Sequence, residues 1–163
     1  MKQLNLVSNG GFYFEKTFSI FLLICIFFSG LVCTPVNAET AVKEGNCGAE
    51  VTWHYDGIDT LTIKGTGPMY DCSTKVKPWQ EYIDLITEVV IGEGITRIGN
   101  QNFMGAKNLK TLTLPATVTS VGKYATYKTS LDTVYYSGSE EAFSLITTDS
   151  YNEPFNNSTV NYK

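Results

Sequence analysis

His54 is the single histidine in this chain of 163 residues. It stands between Trp53 and Tyr55 in a run that alternates polar and apolar side chains. An imidazole acts as a general base only when a partner positions it, and no Cys–His or Ser–His–Asp order accompanies this one. Its place in the alternation puts it on the polar face of a strand. Asp56 and Asp59 flank a turn nearby, but calcium needs six or more oxygen ligands and no acidic cluster supplies the rest. Gly65-Thr66-Gly67 lacks the Lys-Ser/Thr that a phosphate loop requires. The residue types that do chemistry are thus present singly. The chain reads as a non-enzyme, with no catalytic residue, no metal site and no cofactor.

Cysteine is the remaining reactive type. Cys25 and Cys33 lie in an apolar leader, while Cys47 and Cys72 lie in the body of the chain. Spacing alone cannot fix the distance between the last two. A Cys47–Cys72 disulfide and two separately buried thiols are both open, and the first suits an exported protein.

Export is indicated at the N-terminus. Lys2 and Lys16 precede an apolar run from Phe18 to Phe28, Pro35 ends any helix, and Val36-Asn37-Ala38 offers small or modest side chains at a cleavage site. Residues 1–38 read as a signal peptide cut after Ala38. The run is shorter than the roughly 20 apolar residues of a spanning helix, so no stable membrane insertion is expected after cleavage. Retention of the leader as an anchor is the alternative. The formal net charge of -4, without any run of Lys or Arg, gives no surface for a nucleic acid.

The elements follow from periodicity. Residues 39–46 are polar and aperiodic, a flexible lead-in. Val51–Tyr55 and Thr60–Lys64 alternate on either side of Asp56-Gly57-Ile58-Asp59, a turn of hairpin length. Val51, Trp53, Tyr55, Leu61 and Ile63 share its apolar face. Gly65-Thr66-Gly67-Pro68 reads as the end of that strand. Pro78 then opens one or two helical turns that send Trp79 and Ile83 inward.

From Ile86 the chain repeats itself. Ile86, Val89, Ile91, Ile95, Ile98 and Gly99 recur 23 residues later as Leu109, Leu112, Leu114, Val118, Val121 and Gly122. Leu131, Val134 and Tyr136 begin a third copy. Self-similarity at this period signals a solenoid, in which each unit buries its apolar face only against its neighbours. Each unit is a strand, a turn and a return segment, and the strands stack in parallel. Gly99 and Gly122 mark tight reversals. Phe103 and Leu109 fill the space behind the strands. Thr126 replaces the aromatic of the next unit, so Tyr124 or Tyr127 is expected to fill that core. Ser139 caps a helix beginning at Glu140-Glu141, and Thr159–Tyr162 closes as a strand. Residues 47–84 are then an N-terminal hairpin cap, 85–136 the repeats, and 137–163 a helix-plus-strand cap.

Glu93-Gly94-Ile95-Thr96-Arg97-Ile98-Gly99, Leu109-Lys110-Thr111-Leu112-Thr113-Leu114-Pro115 and Val118-Thr119-Ser120-Val121-Gly122 resemble the BspA-like leucine-rich repeat family of bacterial surface proteins. The flanks, from Cys47-Gly48 to Met69 and from Val134 to Pro154, are similar to that family's opening hairpin and closing cap. The resemblance implies a leucine-rich repeat solenoid, β-rich, built on a short parallel strand ladder. It also implies a secreted or cell-surface location and adhesion to a host or bacterial surface protein or glycan. The few repeats shorten any adhesive surface, and a purely structural capped repeat without a ligand is the competing reading. Where a ligand binds, the outward strand positions are its candidates. They form two columns, Glu88–Thr111–Thr133 and Val90–Thr113–Tyr135.

Overall fold

The two alternating runs form a hairpin, the first coil stacks on its second strand, and each later coil stacks on the one before it. The structure is a computed structural model that describes residues 43–73 and 76–163. The signal-peptide reading of residues 1–38, with cleavage after Ala38, falls outside the described residues. Strands β1 (Lys43–Asn46), β2 (Glu50–Tyr55) and β3 (Thr60–Pro68) are antiparallel neighbours. Residues 43–46 are therefore a strand rather than flexible lead-in. Their backbone pairs with Thr52–Tyr55, which compensates for a sequence that buries nothing itself.

β3 does not stop at Gly65. It bends there and continues to Pro68, with Gly65 at φ +121° and Gly67 at φ +98°. A Cβ on Gly65 would lie 2.0 Å from the Glu50 carbonyl oxygen, so the glycines permit the bend instead of ending the strand. The consequence is topological. Thr60–Ile63 pair in parallel with β4 (Glu88–Ile91), whereas Gly67 and Pro68 pair with β5 (Ile95–Ile98).

Two parallel ladders grow from this shared strand. The first runs β3, β4, β6 (Thr111–Leu114), β8 (Thr133–Tyr136) and β10 (Thr159–Tyr162). The second runs β3, β5, β7 (Ser120–Val121) and β9 (Thr147–Thr148). The return segments are thus strands in their own right. The C-terminal residues form a further coil of the solenoid, because β9 and β10 extend both ladders. Two short helices, α1 (Glu140–Ser144) and α2 (Glu153–Asn156), lie within that coil. The Ser139 hydroxyl accepts the Ala142 N–H at 3.2 Å, capping α1.

Between the ladders lies one core. Leu61, Ile63, Val89, Ile91, Leu112, Leu114, Val134 and Tyr136 enter from the first sheet, Ile95, Ile98 and Val121 from the second. Trp79 and Phe103 stack with centroids 5.8 Å apart and join the cap to the repeats. Trp79 and Ile83 are buried around a single 3-10 turn, Gln80–Tyr82, as the Pro78 signal implies.

The third side of each coil is a column of turns. Gln101 donates its N–H to the Lys123 carbonyl, and Tyr124 donates its own to the Ser150 carbonyl. Gln101, Tyr124 and Tyr151 occupy the same place in successive coils, at φ of 57°, 58° and 67°. The left-handed positions are these, not Gly99 and Gly122, whose small size serves close approach. A Cβ on Gly99 would meet the Tyr70 carbonyl oxygen at 2.2 Å. Tyr124 and Tyr127 do not fill the core: both are only half-buried. Ala125 and Thr126 take the space, and buried Asn152 satisfies Thr126 by accepting its N–H at 3.0 Å. A small polar pair there leaves no room for a ring.

Candidate functional site

Parallel in-register pairing turns the outward residues of the first sheet into continuous rows. Thr60, Glu88, Thr111, Thr133 and Thr159 form one, paired strand by strand. Thr62, Val90, Thr113, Tyr135 and Asn161 form the other. The structure thus brings together Glu88, Thr111, Thr133, Val90, Thr113 and Tyr135, and lengthens both columns at each end. None of the hydroxyls of Thr62, Thr111, Thr113 and Thr133 has a hydrogen-bond partner among the described residues. They point away from the core while Leu61, Val89, Leu112 and Val134 on the opposite face are fully buried. Tyr135 is exposed, with the Lys163 ammonium 5.2 Å from its ring centroid.

At the other end the second row crosses into the hairpin, where Thr62 pairs with His54 and His54 with Glu44. The adjacent row is Asn46, Thr52 and Lys64. Glu44, Asn46, Thr52, His54 and Lys64 line a shallow depression of about 460 Å³ together with Gly45 and Trp53. An acid, an imidazole and an amine therefore share one open hollow at the margin of the sheet face. Alternation alone showed His54 on the polar face; that Glu44 stands beside it depends on β1, which has no periodic signal.

No hydrogen bond orients the His54 imidazole among the described residues, and the hollow is open, so the arrangement suits polar contact more than proton transfer. The neighbouring acids are committed to the fold. One Asp56 carboxylate oxygen accepts the N–H groups of Ile58, Asp59 and Thr60 at 2.8–3.1 Å. Burial opposes its ionisation, but those three donors prevail and hold its pKa below the usual carboxylate value. The Asp59 carboxylate accepts the Thr87 hydroxyl at 2.8 Å. No group of three or more His, Cys, Asp or Glu capable of holding a metal occurs among the described residues.

Cys47 and Cys72 are thiols, not joined to each other. Burial, reinforced by nearby Cys72, pushes the Cys47 thiol up to about 12. Burial also raises Cys72, against the opposing hydrogen bond from the Asn102 amide at 3.1 Å. Neither has the lowered pKa of a nucleophilic cysteine. Among the described residues no helix is long and apolar enough to cross a membrane.

Comparison with known proteins bears on this ladder. Residues 81–161 match the family model described as "BspA type Leucine rich repeat region (6 copies)". A solved structure of a leucine-rich repeat protein from Eubacterium ventriosum ATCC 27560 is similar at 35% identity with a TM-score of 0.56. The match covers 59% of this chain and 26% of that one, so the chain spans about a quarter of the length of this relative. No curated protein matches the chain.

Proposed function

Since residues 81–161 belong to the BspA-type leucine-rich repeat family, we propose that the chain is a secreted or surface-held binding module that takes a protein partner on the open face of its first sheet. One observation carries this reading. The outward hydroxyls of Thr62, Thr111, Thr113 and Thr133 are held in register by the paired strands beside Val90 and the exposed ring of Tyr135. Rigid placement matters, because a surface whose side chains are already ordered loses less entropy on association. Tyrosine at one end adds a large amphipathic contact, the kind enriched where interfaces carry their energy. The Glu44–His54–Lys64 hollow extends the same face with charge of both signs, which favours selectivity over raw affinity.

The test is a panel of purified host matrix proteins and bacterial surface proteins presented to the immobilised protein. A variant carrying Thr111→Lys, Thr113→Lys and Tyr135→Glu sets an ammonium opposite Glu88 and another opposite the carboxylate placed at position 135, pairings that a sheet tolerates. Loss of tenfold or more in affinity at an unchanged melting temperature supports the reading. Unchanged binding, or no partner on a broad panel, leaves the structural capped repeat as the better account.

A further inference from the structure

Tyr124, Tyr127 and Tyr151 form a cluster on the turn column, a side of the coil distinct from the sheet face. Tyr124 and Tyr151 stack with centroids 4.3 Å apart and planes 10° from parallel. Tyr127 stands edge-on to Tyr124 at 5.3 Å. Beneath them the core is already complete, filled by buried Ala125, Thr126 and Asn152. The rings therefore add little to the interior, and Tyr151 remains 46% exposed. Two of the three also stand in left-handed backbone, a conformation that disfavours bulky side chains and suits Gly or Asn. The left-handed conformation belongs to the turn that Gln101 also occupies, and it sets the Tyr124 and Tyr151 rings one above the other in the same column.

Two ammonium groups border the rings. Lys123 Nζ lies 5.4 Å from the Tyr124 centroid and 5.6 Å from that of Tyr151. Lys128 Nζ lies 5.4 Å from the Tyr127 centroid, and Lys128 too has a positive φ, 58°. Glu153 is the acid close enough to act on Tyr124, so the patch carries one carboxylate beside its two ammonium groups. Aromatic faces carry negative charge density that attracts the C–H-rich face of a pyranose ring. Ammonium groups at their margin pair with carboxylate or sulfate.

From these observations we infer that the Tyr124–Tyr127–Tyr151 cluster, with Lys123 and Lys128, is a binding site for an acidic polysaccharide. Sugar rings stack on the exposed tyrosine faces, and their carboxylate or sulfate groups meet the two ammonium groups. The site is independent of the sheet face: it stands on other residues and takes a different class of ligand.

Affinity electrophoresis of the protein through polygalacturonate, heparin, neutral dextran and polyphosphate tests it. The expected result is retardation by polygalacturonate or heparin at least tenfold stronger than by dextran or by polyphosphate of equal charge. The Tyr124→Asn/Tyr151→Asn variant should lose about tenfold in affinity while melting no lower, since Asn accepts the left-handed backbone. The Lys123→Gln/Lys128→Gln variant keeps the rings and should lose both affinity and its dependence on salt. It decides the matter should the Asn variant fail to fold. The Thr111/Thr113/Tyr135 variant should bind these glycans as the parent does. Equal retardation by polyphosphate would overturn the proposal as simple charge attraction. So would absence of retardation by both acidic glycans, or binding unchanged in the Lys variant.

Discussion

The Trp79 indole N–H donates to the carbonyl oxygen of Asn102 at 3.1 Å, inside the core. This bond ties the cap to the first repeat. Asn102 reaches back in turn, donating its amide to the Tyr70 carbonyl at 2.9 Å and accepting the Gly99 N–H at 2.8 Å. Trp79→Phe keeps most of the ring volume but strands the Asn102 carbonyl in a dry site, costing about 1–3 kcal/mol. Trp79→Ala should cost about 3–5 kcal/mol. Urea unfolding followed by far-ultraviolet dichroism reads both, and the Ala variant must be the less stable of the two.

Asn152 repeats the Asn102 arrangement in the last coil. Its amide donates to the carbonyls of Gly122 and Asp149 at 2.9 and 2.8 Å, while its oxygen accepts from Thr126. Asn152→Leu fits the volume but leaves the Asp149 carbonyl and the Thr126 N–H without partners, while the Gly122 carbonyl keeps the Ala125 N–H. A loss of at least about 2 kcal/mol follows, seen as a drop in melting temperature of about 8 °C or more. A change within 1–2 °C (about the effect of a surface substitution) would show that the last coil is not latched this way.

Asp71 receives the Asn100 N–H at 2.8 Å and pairs with Arg97 at 2.7 Å, and these contacts lower its pKa below the usual 3.8. Asp56 is lowered as well. A carboxylate favoured by the fold binds fewer protons folded than unfolded, so stability rises with pH across that window. The contribution is present in full well above pH 3.8 and disappears as pH falls through the lower folded values. Melting temperature measured from pH 6 down to about pH 2.5 should fall chiefly at the acid end of that range, and Asp71→Asn should flatten that fall. The effect is small, since the Asp71 side chain is 52% exposed and solvent screens the pair.

Cys47, with its thiol at about 12, should resist alkylation by iodoacetamide at pH 8 in the folded protein. Cys72 is only half-buried and should react first. The Cys47 carbonyl accepts the Tyr70 N–H at 2.7 Å, which brings the segment that carries Cys72 alongside Cys47. Peptide mapping after air oxidation would reveal a Cys47–Cys72 bridge by a loss of two mass units, and recovery of both as alkylated thiols after unfolding would exclude one.

The first ladder was legible because Val89/Ile91, Leu112/Leu114 and Val134/Tyr136 each alternate, and alternation is what a half-buried strand leaves in a sequence. Ile95 and Ile98 are both buried although three apart, so β5 shows no such period and its ladder was hidden. β10 is mostly exposed and needs no apolar pattern, which made the final coil look like a mere lid. The Glu88 and Val90 columns could be read as far as the repeats ran. Their extension to Glu44 and His54 depends on strand pairing that composition does not encode. Tyr124 and Tyr127 carry the sequence signal of core residues because a ring is usually the larger burial gain; here Asn152, 26 residues beyond Thr126, decides otherwise by hydrogen bonding.

Strand β3 is hydrogen-bonded to β2, β4 and β5 at once, whereas β9 and β10 each hold on to a single neighbour. The molecule is therefore mechanically polar. Under tension or thermal fraying it should unzip from its C-terminal coil, one rung of each ladder at a time, with β3 as the axle released last. Under tension that order sacrifices the far coil, and at the other end the singly paired β1, while the β2–β3 pairing around His54 is kept.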